Sequence, residues 1–258
     1  MRLGHKNPWK VSHIGWLLGL LHGVPLFLFW QFGLGAGFSA LLVLHGFLVL
    51  STVYPQSPVF GRARHCFPTA HKQVFLTIDD GPCADTPEVL ELLAAHNTKA
   101  LFFLIGERAA AHPEWVQRIV AEGHQIGNHT YTHPAYTFWA YSPSRQRREL
   151  SRCQQTLAAL MGYVPVWFRA PAGLRNPFCN AIAHECGLHV LGWQARGFDG
   201  VACNVENVVR RLRKNLMPGA ILLVHQGMPQ SVEVLRQTLK MLKQDGWKTE
   251  LPPPPNHA

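Results

Sequence analysis

The sequence predicts an α/β protein, a parallel sheet or barrel, carried behind an N-terminal pair of apolar helices. Three observations support this class. From residue 73 to residue 244, short apolar runs ended by Gly, Pro or charged residues alternate with stretches of helical length, the pattern of βαβ units. From Val11 to Gly61 there is no Asp, Glu, Lys or Arg. Several of the later apolar runs also end in titratable residues, at the strand end where α/β folds place chemistry.

A helix needs about 20 apolar residues to cross a bilayer, so the charge-free segment is long enough for two crossings. We place them at residues 14–30 and 38–54, with Gly33, Gly35 and Gly37 in the turn and Gln31 as a polar marker. Trp9, Trp16, Trp30 and Tyr54 fall near the ends, where interfacial aromatics are enriched. A cleaved signal peptide has an apolar region of only about 7–15 residues, and a single tilted helix conflicts with the Gly-rich centre. His22 and His45, inside the spans, are expected as neutral side chains packed between helices.

The basic flanks set an orientation. Arg2, Lys6 and Lys10 precede the anchor, Arg62, Arg64 and Lys72 follow it, and no acid occurs before Asp79. The positive-inside rule keeps both flanks in the cytoplasm, so the remainder is expected on the cytoplasmic face of a bacterial-type inner membrane. With a single crossing it would lie on the opposite side, facing peptidoglycan.

The net charge is +9. Six Lys/Arg and no acid lie in the first 72 residues, leaving 18 basic against 15 acidic side chains beyond them. Most of the excess is therefore juxtamembrane and suits anionic lipid. The clusters Arg145-Gln146-Arg147-Arg148 and Arg210-Arg211-Leu212-Arg213-Lys214 read as solvated helix faces, and no nucleic-acid partner is expected. Six cysteines without a CxxC pair read as free thiols. Cys83 reads as a small buried filler rather than a nucleophile.

In chain order, residues 1–54 form the anchor and residues 55–72, with Pro55, Pro58, Gly61 and Pro68, a linker. Residues 73–251 form the catalytic domain, and the Pro-rich tail 252–258 is expected to fray. Strands are expected at 74–79, 99–105, 124–127, 164–169, 188–192 and 220–224. Helices are expected at 86–96 (Pro87 in the first turn), 113–122, 144–161 (ended by Gly162), 176–186, 204–215 and 231–244.

Four sequence patterns carry chemistry. Asp79 and Asp80 end the first strand, and a turn at Gly81-Pro82 can swing both carboxylates into one cleft, although Asp-Asp-Gly-Pro also suits an ordinary turn. His129 and His133 are four apart, so one helical turn would set both on one face. With Asp80 they make a two-imidazole, one-carboxylate set that leaves a coordination position open, as catalytic zinc sites do; cobalt, nickel or iron suit the same ligands. Arg169 ends another strand and can orient and ionise a carboxylate. His225 ends the run Leu222-Leu223-Val224, where a structural histidine is the commoner case and a general acid a fair candidate.

In order, Thr77-Ile78-Asp79-Asp80-Gly81-Pro82, His129-Thr130-Tyr131-Thr132-His133, Arg169-Ala170-Pro171-Ala172-Gly173 and Leu223-Val224-His225 resemble the motifs of the polysaccharide deacetylase family. This family is also called the NodB-homology domain or carbohydrate esterase family 4. The resemblance spans residues 73–247. It implies a distorted (β/α) barrel of the NodB-homology type, here preceded by an N-terminal transmembrane helical hairpin, and metal-dependent removal of an N-acyl group from an amino sugar.

Matched position by position, Asp79 resembles the general base, and Asp80, His129 and His133 the ligands of a divalent ion, zinc before cobalt, nickel or iron. Arg169 resembles the residue that orients the base, His225 the acid that protonates the leaving amine, and Leu223 the apolar wall that receives the acetyl methyl. Two departures stand out. Ala172 occupies a place where the family often has Tyr, but its backbone N–H is expected to serve the oxyanion. The usual aspartate-and-tryptophan motif is replaced by Gly192-Trp193-Gln194-Ala195-Arg196-Gly197-Phe198-Asp199. Within it Trp193 is assigned to sugar stacking and Asp199 to pairing with Arg169, and Arg196 has no role.

The expected partners are an N-acylated amino-sugar glycan, free or lipid-linked, and membrane lipid. Alternatives are deformylation of a lipid-linked sugar and a non-catalytic, membrane-tethered glycan-binding or assembly role. The intact Asp79, Asp80, His129, His133 and His225 speak against the last.

Overall fold

The computed structural model of the chain describes residues 10–201 and 204–255. Arg2, Lys6, Trp9, Cys203 and the end of the tail lie outside the described residues.

Two apolar helices come first, α1 (Val11–Phe32) and α2 (Leu34–Val53). At 1.5 Å per residue they are about 30 Å long, the thickness of a hydrocarbon core. They form an antiparallel hairpin: Phe29 meets Gly37 near the turn, and the rings of His22 and His45 lie 5.3 Å apart further along. Each of these imidazoles also bonds the carbonyl four residues back in its own helix. Leu20, Phe27, Trp30, Val43 and Leu50 expose their apolar side chains outward, a surface suited to lipid.

The turn is tighter than expected. Only Gly33, at φ +88°, breaks the helix, and Gly35 and Gly37 belong to α2. Gly37 instead allows the helices to touch, since a Cβ there would lie 2.6 Å from Phe29 Cβ and 2.9 Å from the Pro25 carbonyl.

Among the described residues, eight strands form one parallel sheet in the order β5-β4-β3-β2-β1-β7-β6, with β8 beside the start of β1. They are β1 (Gln73–Gly81), β2 (Leu101–Leu104), β3 (Gln125–Asn128), β4 (Trp167–Phe168), β5 (His189–Val190), β6 (Ala195–Arg196), β7 (Ile221–His225) and β8 (Lys248–Glu250). The connecting helices are α3 (Thr86–Ala95), α4 (Gly106–Ala111), α5 (Pro113–Ala121), α6 (Pro143–Met161), α7 (Cys179–Glu185), α8 (Val205–Lys214) and α9 (Ser231–Gln244). Strands β6 and β8 and helix α4 are too short to show a period in the sequence. Asn204 caps α8, and Ser142, not Ser144, caps α6. The start of the tail is held rather than frayed, because the Gln125 side chain donates to the Pro252 carbonyl at 3.1 Å.

Strand alternation divides the core. Val74, Leu76 and Ile78 of β1, Phe102 and Leu104 of β2, and Leu222 and Val224 of β7 pack against the helices. The other parity, Phe75, Leu101, Phe103, Ile221 and Leu223, forms a smaller inner cluster with Trp167 and Trp193. Thr77, Asp79 and His225 follow this inner parity and so point into the barrel. A parallel barrel thus delivers these three side chains without special local geometry.

The segment expected to be a linker is built into the barrel. Residues 64–67 span the opening between the β5 and β6–β7 edges, with Arg64 paired to Leu191 and Cys66 to Ala220. Gly192 N–H donates to the Arg64 carbonyl at 2.7 Å, and Phe67 N–H to the Gly219 carbonyl at 2.9 Å. Upstream, the buried Arg175 guanidinium donates to the carbonyls of Pro55, Ser57 and Gly61 at 2.9–3.0 Å. The text of this stretch reads as a linker because Pro and Gly dominate it; its bonds are made to distant parts of the chain.

Gly219 has φ +82°, and a Cβ there would sit 1.8 Å from the Phe67 carbonyl oxygen. Gly219→Ala should therefore detach this closing segment and cost about 2–4 kcal/mol, the range for combined strain and overpacking. Denaturant unfolding measures the cost, and faster proteolysis within residues 55–72 would locate it.

Candidate active site

Asp79 is the first functional residue that β1 supplies, and its inward parity brings it to Arg169. Arg169 follows β4 and is fully buried, with Nη1 donating to Asp79 Oδ1 at 2.7 Å and Thr77 Oγ1 at 2.8 Å. Nε donates to the Leu191 carbonyl at 3.2 Å and Nη2 to the Gly192 carbonyl at 2.7 Å. Its guanidinium also stacks 4.3 Å from the Phe103 ring centroid. Burial pulls the Arg169 pKa below its ordinary value, and the Asp79 charge opposes this.

Asp80 should face outward by alternation. A register shift between Asp79 and Gly81, with Asp80 at φ +69°, turns it inward as well. This β-bulge, rather than a turn starting at Gly81, aims both carboxylates into one cleft. Arg108 Nη1 holds the Asp80 carbonyl at 2.5 Å.

His129 and His133 lie in a loop after β3, not on a helix, and Thr130 and His133 both have positive φ. Asn128 and Glu149 hold that loop. Asn128 Oδ1 accepts from Thr130 N–H at 2.9 Å, and Glu149 Oε2 accepts from the N–H groups of Tyr131 and Thr132 at 3.0 and 2.9 Å. Glu149 lies within α6, where nothing in the sequence distinguishes it from a solvated helix residue. Asn128 was more legible, as a turn former directly before His129.

The Nε2 atoms of His129 and His133 approach Asp80 Oδ1 to 3.3 and 3.1 Å. His129 Nδ1–H donates to the Arg169 carbonyl at 2.8 Å. That bond fixes the tautomer and leaves the Nε2 lone pair facing Asp80, as in metal-bound histidines. Asp80 Oδ1 is buried without a hydrogen-bond donor. Burial opposes its charge, yet the neighbouring imidazoles, once protonated, hold its carboxyl well below the usual range. His133 is pushed down to about 4, mainly by burial, and so is neutral near pH 7. Three electron-rich atoms within 4.8 Å of one another, one an orphaned carboxylate oxygen, fit a divalent cation.

Asp199 does not pair with Arg169, as expected from the sequence. Its Oδ1 lies 2.9 Å from His225 Nδ1, and its Oδ2 accepts the His225 backbone N–H at 2.7 Å. The reason is geometric: Asp79, Thr77 and two carbonyls already occupy Arg169. Burial would lower the His225 pKa, but the Asp199 hydrogen bond and charge, joined by Asp79 and Asp80, raise it on balance.

These groups share a cleft of about 270 Å³ with Ala172, Leu223 and Trp193. Leu223 is buried on its wall, and Ala172, at φ +52°, lines it. Trp193 is only 7% exposed, with Arg196 5.1 Å from its ring centroid, so it is a supporting wall rather than an open stacking platform. The open aromatic surfaces are Tyr136 and Phe198, which the sequence did not single out. Cys83 donates to Asp85 Oδ1 at 3.0 Å, and burial pushes its thiol far up, which makes it a poor nucleophile.

Comparison with known proteins agrees with this constellation. Residues 68–191 match the profile of the family described as polysaccharide deacetylase. A peptidoglycan-N-acetylglucosamine deacetylase of Bacillus cereus is 34% identical over 181 residues, covering 67% of this chain and 64% of its own. A chitooligosaccharide deacetylase of a Bradyrhizobium species is 35% identical over 166 residues, covering 63% of this chain and 74% of its own. The crystal structure of a peptidoglycan N-acetylglucosamine deacetylase in complex with 4-naphthalen-1-yl-N-oxidanyl-benzamide superposes with a TM-score of 0.67. It is 32% identical and covers 73% of this chain and 89% of that one.

The chain belongs to the polysaccharide deacetylase family. Its barrel is the distorted α/β barrel of that family, with Asp80, His129 and His133 as the candidate metal site. The chain spans just under two thirds of the Bacillus relative's length.

Glu149 positions the ligand loop without touching the ligand atoms. Glu149→Ala should weaken zinc binding about 10–100-fold, the usual effect of removing such a support, while leaving one site per chain. Competition with a chromogenic chelator measures the affinity, and elemental analysis the stoichiometry.

Proposed function

We propose that this chain is a metal-dependent N-deacetylase of an amino-sugar glycan, working at a membrane surface. The observation that carries this reading is the convergence of Arg169-held Asp79, the Asp80-His129-His133 set and Asp199-held His225 in one cleft. Its relatives bear the names of peptidoglycan and chitooligosaccharide deacetylases, which supports an N-acetylated substrate.

Asp80, His129 and His133 would hold the ion, zinc in our reading. When bound, such an ion lowers the pKa of water toward ~7 and polarises an amide carbonyl. Asp79 is the general base: Arg169 engages its Oδ1, and Oδ2 lies on the His129 side, 3.7 Å from Nε2. Arg169 holds the carboxylate in a fixed direction, so that it can accept the proton of the attacking water. The backbone N–H of Ala172 serves the developing oxyanion. Leu223 gives the acetyl methyl an apolar wall.

A sugar amine is a poor leaving group as an anion and needs a proton. His225 supplies it: with Nδ1–H given to Asp199, Nε2 is free for the cleft, and the raised pKa favours its protonated form. Base and acid are thus separated by environment, one carboxylate tied to a guanidinium and one imidazole tied to a carboxylate.

Asp79→Asn should abolish acetate release from N-acetylated oligosaccharides, by about 10³-fold or more, with zinc still bound; retained activity would remove Asp79 from the mechanism. Asp199→Asn tests the acid. Since Asp199 raises the pKa of His225, activity falls as pH rises through that value, and the variant should lose activity at lower pH. The alkaline limb of kcat/KM against pH should shift toward acid.

For topology we infer a two-crossing anchor with both flanks in the cytoplasm, supported by the hairpin and the basic flanks. Cys66 is a free, exposed thiol just beyond the hairpin. An impermeant maleimide should label it in disrupted cells and not in intact spheroplasts, with Cys66→Ser as the control. Labelling of intact spheroplasts would reverse the orientation.

A further inference from the structure

Arg196 is the charged side chain in the cleft that the deacetylation chemistry leaves unused. It lies on β6 in register with Leu223 of β7, and so shares the face of the sheet that lines the cleft. Its guanidinium is packed between two aromatic rings, 5.1 Å from the Trp193 centroid and 4.8 Å from that of Phe198. Among the described residues no carboxylate or carbonyl satisfies it, and its Nε is buried without a partner. The nearby acids are committed elsewhere: Asp199 gives both oxygens to His225, and Asp79 Oδ1 binds Arg169.

A partly buried, unpaired guanidinium is costly unless a ligand completes it. Stacking on Trp193 and Phe198 holds its plane and leaves its N–H fork for an anion, the geometry that favours bidentate phosphate contacts. Arg211 of α8 also lies against Phe198, 5.8 Å from its centroid. With a divalent ion seated, the ion and the guanidinium groups of Arg169 and Arg196 outweigh Asp79, Asp80 and Asp199 by one positive charge, before any charge on His225 is counted. The cleft would then attract an anionic substrate rather than a neutral one.

The hairpin's attachment indicates where that anion comes from. Two residues beyond the end of α2, Pro55 packs 3.1 Å from the Cβ position of Gly173, a cleft residue. Gln56 Nε2 donates to the Trp193 carbonyl at 3.4 Å, and His65 Nδ1 to the same carbonyl at 3.2 Å. The cleft wall therefore sits within three residues of a membrane-crossing helix. Tyr136, Phe198 and Val201, all more than half exposed, put apolar side chains on its rim, as a site working at an interface requires.

From these observations we infer that the substrate is an amino-sugar glycan joined through a phosphate ester to a lipid of the same bilayer, and that Arg196 binds the phosphate. This rests on the deacetylase reading for the sugar but not for the anion.

The test reads binding apart from turnover. The zinc-loaded full chain in detergent micelles is titrated calorimetrically with chitobiose, N-acetylglucosamine 1-phosphate and polyprenyl-diphosphate-linked N-acetylglucosamine. Wild type should bind the phosphate esters at least tenfold more tightly than chitobiose, and the lipid-linked one most tightly. Arg196→Gln should erase that preference to within about twofold, and Arg196→Lys should restore part of it. In turnover, Arg196→Gln should raise KM for the lipid-linked substrate at least tenfold more than for chitobiose.

Equal losses on all ligands would make Arg196 structural and overturn the inference, as would a wild type indifferent to phosphate. A lipid-linked ligand bound no better than the soluble phosphate would overturn its membrane source. Phosphate binding through Arg196 without acetate release from any substrate would uphold this inference and overturn the deacetylase reading.

Discussion

The buried guanidinium of Arg169 is the contact on which the rest of the site depends. It joins Thr77 and Asp79 on β1, the Leu191 and Gly192 carbonyls after β5, and the face of Phe103 on β2. Its own carbonyl receives the Nδ1–H of His129. One residue thus fixes the direction of Asp79, the base we propose, and the tautomer of His129, a candidate metal ligand. A fully buried charge costs several kcal/mol to desolvate, and only a complete set of partners offsets that. Here the donors are matched by a carboxylate, a hydroxyl and two carbonyls, so the cost is met by bonds that also define the site.

The second constraint is backbone strain, which is concentrated where chemistry is. Among the described residues, the non-glycine positions at positive φ are Asp80, Asn97, Thr130, His133, Ala172 and Phe198. All but Asn97 lie in the segments that frame the cleft. Such conformations cost of order 1 kcal/mol or more each and persist only where surrounding contacts over-determine them. Arg108 on the Asp80 carbonyl and Glu149 on the loop N–H groups supply those contacts. The strain turns Asp80 against its strand parity and brings His133 back beside His129, with ring centroids 4.7 Å apart.

What the sequence revealed follows from this division. Strand-borne groups were legible because alternation and a long apolar run announce them: Asp79, Arg169 and His225 fell where the parallel sheet places them. The longer helices were legible by period, and α9 matches its expected bounds. Groups whose position depends on distant partners were not. The pairing of Asp199 with His225 rather than Arg169 follows from how fully Arg169 is already bonded, and no local pattern records that. The role of Glu149 is set by a loop 17 and 18 residues away, and the barrel-closing segment 64–67 by residues 191–220. Trp193 looked like a platform because an aromatic near a sugar site usually is one; packing against Gly173 and the Arg196 guanidinium buries it instead.

That same segment changes the meaning of the anchor. Had residues 55–72 been free chain, the hairpin would be a tether and the barrel could sample any orientation above the bilayer. Instead Arg175 clamps Pro55, Ser57 and Gly61, and residues 64–67 complete the sheet beside Leu191 and Ala220. A helix end held in this way has little rotational freedom relative to the cleft. The barrel then needs its anchor-proximal chain for closure, and the anchor acquires a fixed aspect toward the cleft wall at Trp193. With the hairpin in a bilayer, as we propose, the orientation of the cleft toward the lipid would follow from how the barrel closes, through the same backbone bonds that position the carbonyls holding Arg169.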